Sequence, residues 1–219
     1  MRKKIFHLVI MAFTLQFNVY SQNDSLKGGQ LYSSNFLIDD IQRDFVYYMP
    51  AHYGDSDLYP LVIFLHSEGE SAQSAIKSYG ATIQQIADTS NCIVIYPDAV
   101  QGRWNVKSEE SRSGKDSVND VSFISILIDY FIQVYHADPK RIYLIGFLTG
   151  GELAWQVICT VPLKITAIAA FPMIQNTNQC KTNNVIVMPT DQYIDFSVKK
   201  NYVNAIFNAW KFFTSHQKQ

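Results

Sequence analysis

The stretch Arg141–Trp155, RIYLIGFLTGGELAW, has the form of a buried strand that passes through closely spaced glycines into a helix. Gly146, Leu148 and Gly150 frame a tight turn of the kind that lifts its central side chain out of the backbone. A serine at that centre would be an acyl-transfer nucleophile, but leucine has neither a proton to lose nor a lone pair to attack with. Thr149 carries the only hydroxyl in the turn itself, one position past the tip. Other chemistry-bearing patterns are weaker. Ser74-Ala75-Ile76-Lys77 matches Ser-x-x-Lys without companion motifs, Gly114-Lys115 has Glu109 where a phosphate loop needs glycine, and Gly-x-Gly-x-x-Gly is absent. The histidines and the three cysteines show no zinc-site spacing, so neither a metal nor a cofactor is expected.

The elements that would carry this turn follow from hydrophobic patterning. Four short apolar runs recur: LVIFLH from Leu61, CIVIYP from Cys92, IYLIGF from Ile142 and VIVMPT from Val185. Helical spacing separates them, most clearly over Val121–Tyr135, with Asn119 or Asp120 as cap and Asp138-Pro139 as terminator, and again over Val198–Phe213. Arg43–Met49 reads as an early, antiparallel strand ending at Pro50. Apolar strands alternating with amphipathic helices give an α/β fold, a mostly parallel sheet with helices on both faces. Such sheets place their sites at the carboxyl ends of the strands.

The first 21 residues combine Arg2, Lys3 and Lys4, a short apolar run, and small residues Val19 and Ser21 before a cleavage point, the pattern of a signal peptide. The run is too short and too interrupted for stable membrane insertion, so the expected location is secreted or periplasmic. Residues 22–42 read as a loose leader and 43–219 as one domain of ordinary size. Cleavage would remove three of the 18 basic residues and none of the 19 acidic ones, leaving a net charge of −4. With no cluster of basic and aromatic residues, nucleic acid is not an expected partner. Export makes a disulfide chemically accessible. Cys92 lies in an apolar run as a buried thiol, while Cys159 and Cys180 stand at the end of a helix and in a polar loop.

Taken together, YPLVIFLHSEGES, CIVIYPDAVQGRWN, the segment Asn119–Trp155 and VICTVPLKITAIAAFP follow in order and spacing the pattern of secreted poly(3-hydroxybutyrate) depolymerases and feruloyl esterases. The chain resembles that α/β-hydrolase family from about Tyr47 to Thr190. The resemblance implies that His66 and Ser67 belong to the oxyanion segment, where the family has Leu-His-Gly, and that Leu148 stands at the nucleophile position. It further implies that Asp191 stands at the acid position, Trp104 lies beside the cleft and Cys159 pairs with Cys180. Glu68, next to Ser67, would oppose the negative charge an oxyanion hole stabilises, or would point to solvent. The family's histidine lies past a further strand beyond a helix resembling Val198–Phe213. With the sequence running to Gln219, that strand and its histidine are expected to be missing.

The expectation is therefore a secreted α/β-hydrolase-fold protein without serine hydrolysis. It would keep His66, Ser67, Trp104 and Thr149 around a cleft for a small molecule or carbohydrate ester. The alternative is an active carboxylic-ester hydrolase using Thr149 or Ser67 with His66. Ligand identity and oligomeric state are not legible in the sequence.

Overall fold

The computed structural model describes residues 29–106, 118–171, 185–188 and 199–216. The expected signal peptide, Asp191 and Cys180 lie outside the described residues. Among the described residues seven strands form one sheet: β1 (Gln30–Ile38), β2 (Ile41–Met49), β3 (Tyr59–Leu65), β4 (Ile93–Pro97), β5 (Ala137–Phe147), β6 (Ala167–Phe171) and β7 (Ile186–Val187). Their spatial order is β1-β2-β4-β3-β5-β6-β7. β1 and β2 run antiparallel to their neighbours, and the pairs β4–β3, β3–β5, β5–β6 and β6–β7 are parallel.

Four α-helices among the described residues cover the sheet: α1 (Ala72–Ser90), α2 (Asp120–Tyr135), α3 (Thr149–Thr160) and α4 (Lys199–Thr214). Strand periodicity divides the core between the two faces. Leu61, Ile63, Leu65, Ile142 and Leu144 pack with Phe123, Leu127, Leu153 and Val157 of α2 and α3. Val62, Phe64, Tyr143, Ile145 and Phe147 pack with Ile83, Ile86, Ile206 and Phe213 of α1 and α4. Burial on both faces explains why β3 and β4 read as unbroken apolar runs.

The N-terminal leader is a correction: residues 30–38, expected to be loose, are β1, paired with β2 along its whole length. Asp39 and Asp40, both at positive φ, make the two-residue turn, a backbone Asp tolerates better than most residues. The strand escapes notice because only Tyr32, Phe36 and Ile38 reach the core cluster while polar or exposed residues alternate with them. α2 ends at Tyr135 as expected, but what terminates it is a second correction. Its N-terminus is capped by Asn119, which accepts from the Ser122 N–H, but the helix closes at Tyr135 with His136 left-handed. Asp138 and Pro139 are the second and third residues of β5, where a register irregularity opposite Tyr59–Leu61 tolerates the missing N–H of proline. The late strand is also shorter than Val185–Thr190, its described part being Ile186–Val187. Cys159 lies within the last turn of α3. No helix among the described residues is long and apolar enough to cross a membrane.

Candidate functional site

The carboxyl ends of β3, β5 and β6 meet at the turn at Leu148. Leu148 has φ 49° and ψ −118°, outside the left-handed well and in a region that costs an L-residue about 1–3 kcal/mol. Its N–H donates to the carbonyl of Phe171, the last residue of β6, at 2.6 Å, and its carbonyl accepts from the Glu152 N–H at 3.1 Å. A Cβ on Gly146 would fall 2.3 Å from the Gly150 carbonyl oxygen, and one on Gly150 would fall 2.2 Å from that of Leu65. Both glycines are thus required by close backbone approach rather than by φ. The result is a strained elbow whose tip side chain is 44% exposed. All the mechanical parts of a nucleophile turn are present, and the group at the tip is aliphatic.

The neighbouring segment after β3 departs further. His66 is 1% exposed; its Nδ1 lies 2.8 Å from the Ser67 carbonyl and its Nε2 accepts from the Ala99 N–H at 3.3 Å. Nδ1 thus faces a carbonyl acceptor and Nε2 a backbone N–H donor. Trp104 is 5% exposed, packs its indole against the His66 ring at 4.8 Å between centroids, and donates from Nε1 to the His66 carbonyl at 2.8 Å. The expected rim of the cleft is therefore largely a buried scaffold: His66 and Trp104 hold the loop Asp98–Asn105 against β3. Ser67 is buried as well, its Oγ 3.5 Å from the Phe147 carbonyl. The Thr149 Oγ1 is shielded from solvent and has no hydrogen-bond partner among the described residues. Both ring nitrogens of His66 face backbone groups.

Glu68 points outward and pairs with Arg103 at 3.1 Å, both side chains being largely exposed. The carboxylate that does turn inward is Glu70. Its Oε2 accepts the Ser67 N–H at 2.9 Å, and its own N–H donates to the Ser67 carbonyl at 3.1 Å. An oxyanion segment collects N–H donors for a developing negative charge; here a fixed negative charge already holds one of them. The Ser-x-x-Glu spacing Ser67–Glu70 is the sequence signal for this reciprocal pair, the same spacing that makes a capping box.

Arg43 and Asp120 were also missed. Arg43, on β2, is 2% exposed, pairs with Asp120 at 2.5 Å and lies 4.1 Å above the Phe123 ring. The other Asp120 oxygen accepts from the Asn105 N–H at 2.6 Å. Burial pushes the Asp120 carboxyl above its usual range, against the pull of Asn105 and Arg43, and lowers the Arg43 guanidinium. The pair fastens β2, the start of α2 and the loop carrying Trp104 to one another. Such a role depends on residues 77 positions apart, which no local spacing reveals.

The remaining described histidines lie elsewhere. His52 is exposed beside Asp55, His136 caps α2 at the amino end of β5, and the His216 carbonyl accepts from Tyr143, four residues short of the β5 terminus. Among the described residues no histidine with a free ring nitrogen stands at the elbow, and no group of three potential metal ligands occurs.

No family model matches the chain. It is 26% identical over 129 residues to a bifunctional acetylxylan esterase/xylanase of Neocallimastix patriciarum, covering 58% of this chain and 17% of that protein. It is 25% identical over 105 residues to feruloyl esterase B of Thermothelomyces thermophilus, covering 47% of this chain and 35% of that one. The chain thus spans about a third or less of the length of these curated relatives. Among solved structures, a thermostable esterase superposes with a TM-score of 0.62 at 15% identity, covering 86% of this chain and 63% of its own. These similarities relate the chain, at low identity, to the α/β-hydrolase esterases, and the structural likeness establishes the α/β-hydrolase fold.

Proposed function

We propose that the chain is an exported, non-hydrolytic relative of the feruloyl and acetylxylan esterases, and of the poly(3-hydroxybutyrate) depolymerases it resembles, that binds an ester ligand without cleaving it. The observation that carries the reading is Leu148 at the tip of an intact elbow. The turn still presents its central side chain to solvent, so the scaffold that offers a nucleophile is kept while the nucleophile is gone. Loss of a triad member typically costs a factor of about 10⁴ in rate. Two further features support it: both nitrogens of His66 are engaged, and Glu70 places a carboxylate on the Ser67 N–H. An uncharged, partly apolar ligand such as a feruloylated sugar or a hydroxyalkanoate oligomer suits an exposed leucine better than an anionic one.

Asp191 is proposed as a vestige of the acid position, with no histidine free to be oriented among the described residues. Export and a Cys159–Cys180 disulfide belong to the same reading. Cys92 is buried and free, which is compatible with the pairing of the other two cysteines that the resemblance implies. N-terminal sequencing of exported protein should begin at Gln22.

The test is hydrolysis of short-chain nitrophenyl esters and methyl ferulate by purified protein, beside calorimetric titration with feruloylated xylan oligosaccharides and hydroxybutyrate oligomers. The expected result is no turnover above buffer, with saturable binding of one ligand class. Turnover that is lost on His66→Ala would instead establish an active esterase with an altered constellation.

A further inference from the structure

We propose that β1 is the interface of a two-fold symmetric dimer of this chain, formed by antiparallel pairing of β1 with β1 of a second copy. Among the described residues β1 has one strand neighbour, β2, and its other edge is open. Open edges are normally defended by charge, proline, bulges or shortness. β1 has none of these: its nine residues, QLYSSNFLI, carry no charge and no proline, and its register with β2 is unbroken from Gln30 to Ile38.

The hydrogen-bond phase of this edge follows from the turn. Asp39 and Asp40 make a two-residue connection between Ile38 and Ile41, which makes Ile38–Ile41 a hydrogen-bonded pair and directs the N–H and C=O of every second residue from Ile38 toward β2. Leu31, Ser33, Asn35 and Leu37 therefore direct their backbone groups outward. A two-fold axis at Ser34 sets Ser33 opposite Asn35 and Leu31 opposite Leu37 of the other copy, each an outward-directed residue facing another. That register forms about eight backbone hydrogen bonds.

The side chains agree with the same register. Leu31 and Leu37 are exposed by 40% and 68% on one face, and each would cover the other's counterpart across the axis. On the opposite face, Tyr32 would meet Phe36 of the second copy. Within one chain Tyr32 already stacks on Tyr47 at 5.4 Å and Phe36 lies 5.0 Å from Phe45, so the joint would join two aromatic rows into one. The sequence reads as a palindrome of residue classes about Ser34: polar beside it, aromatic next, leucine beyond. The acidic turns at Asp39 and Asp40 fall at opposite ends of the joint in the antiparallel arrangement, whereas parallel pairing would bring them together.

The test is sedimentation equilibrium of purified protein across a wide concentration range, with circular dichroism melts to verify folding of each variant. The wild type should sediment as a dimer at high concentration. Asn35→Pro removes an outward N–H while sparing the bonds to β2, and Leu37→Lys sets a charge against Leu31 of the other copy; each should give a folded monomer. Leu31→Glu combined with Leu37→Lys should restore the dimer, because the two charges then face each other in this register. Ser34→Cys should cross-link to itself on mild oxidation, and Ser33→Cys should not. Leu163→Lys, at a leucine exposed by 78% elsewhere, should leave the mass unchanged. A wild type that stays monomeric throughout, or a dimer indifferent to Asn35→Pro and Leu37→Lys, overturns the proposal.

Discussion

Replacing Gly150 with alanine should be costly for stability and replacing Leu148 with glycine nearly neutral, although both substitutions sit in the same turn. In Gly150→Ala the new methyl would lie 2.2 Å from the Leu65 carbonyl oxygen, 2.6 Å from that of His66 and 2.7 Å from the Leu65 carbonyl carbon. All three atoms are backbone at the end of a central strand, so no side chain can swing aside. Reaching even 3.0 Å requires the turn and β3 to part by about 0.8 Å. Overpacking a tight site costs about 1–3 kcal/mol, and a site walled by backbone belongs at or above the upper end. In Leu148→Gly three contributions nearly cancel. Relief of the φ 49°, ψ −118° backbone returns about 1–3 kcal/mol. Against it stand the burial of a leucine that is already 44% exposed, about 1–1.5 kcal/mol from the full-burial range, and the added chain entropy of glycine, about 0.5–1 kcal/mol. The expected net is within about 1 kcal/mol of zero, where an unstrained Leu→Gly of equal exposure would lose about 2 kcal/mol. Urea denaturation followed by circular dichroism measures both. Equal losses in the two variants, or a Gly150→Ala loss under about 1 kcal/mol, would refute the claim that the elbow is strained at its tip and crowded at its glycine.

Leu148→Ser alone should stay without esterase activity on nitrophenyl acetate, because no described histidine is free to activate the new hydroxyl; measurable single-mutant turnover would contradict that. Arg43→Met or Asp120→Asn should each cost about 3–5 kcal/mol by stranding a buried charge or donor, and Arg43→Met with Asp120→Leu should cost less than either alone, as read from denaturant midpoints. Burial raises the Cys92 thiol from its ordinary 9.0 to about 12. It should therefore resist a thiol-specific chromogenic reagent in the folded protein and react on unfolding. Because the folded value lies above the unfolded one, the stability it contributes is complete below about pH 9 and is lost as pH rises toward 12. Tyr48, also raised to about 12, chiefly by burial, adds a loss that begins above its ordinary value of 10.0. Denaturation midpoints should fall across that alkaline window, and Cys92→Ala should make the fall shallower.

Much of the scaffold is legible in the sequence because it depends on periodicity. β3, β4 and the second half of β5 are buried on both faces, so their apolar runs have no polar alternation to confuse them with a loop. The Gly146–Gly150 frame is legible for the same reason a turn is: backbone contact at 2.2–2.3 Å admits no other residue type. What local pattern does not carry is direction and distance. Glu68 and Glu70 are equally acidic, and only the fold turns one toward Arg103 and the other toward Ser67. His66 and Trp104 look like cleft residues until the loop Asp98–Asn105 closes over them. β1 resembles a polar leader because half of its residues meet no core at all.

The crossed strand order has a consequence for how the chain assembles. The hairpin of β1 and β2 is local and closes on a two-residue turn, on the order of microseconds for such elements. Its seat in the sheet, however, is β4, which lies beyond β3 and the whole of α1 in the chain. β3 in turn is flanked on its second side by β5, which follows α2. A chain emerging from its amino end therefore holds a finished hairpin with nowhere to dock until Pro97 is made. β3 has a bare edge until Phe147 is made. Because those non-local closures come late and are slow, the interval between them is when this protein is most exposed to chaperones and to its own kind.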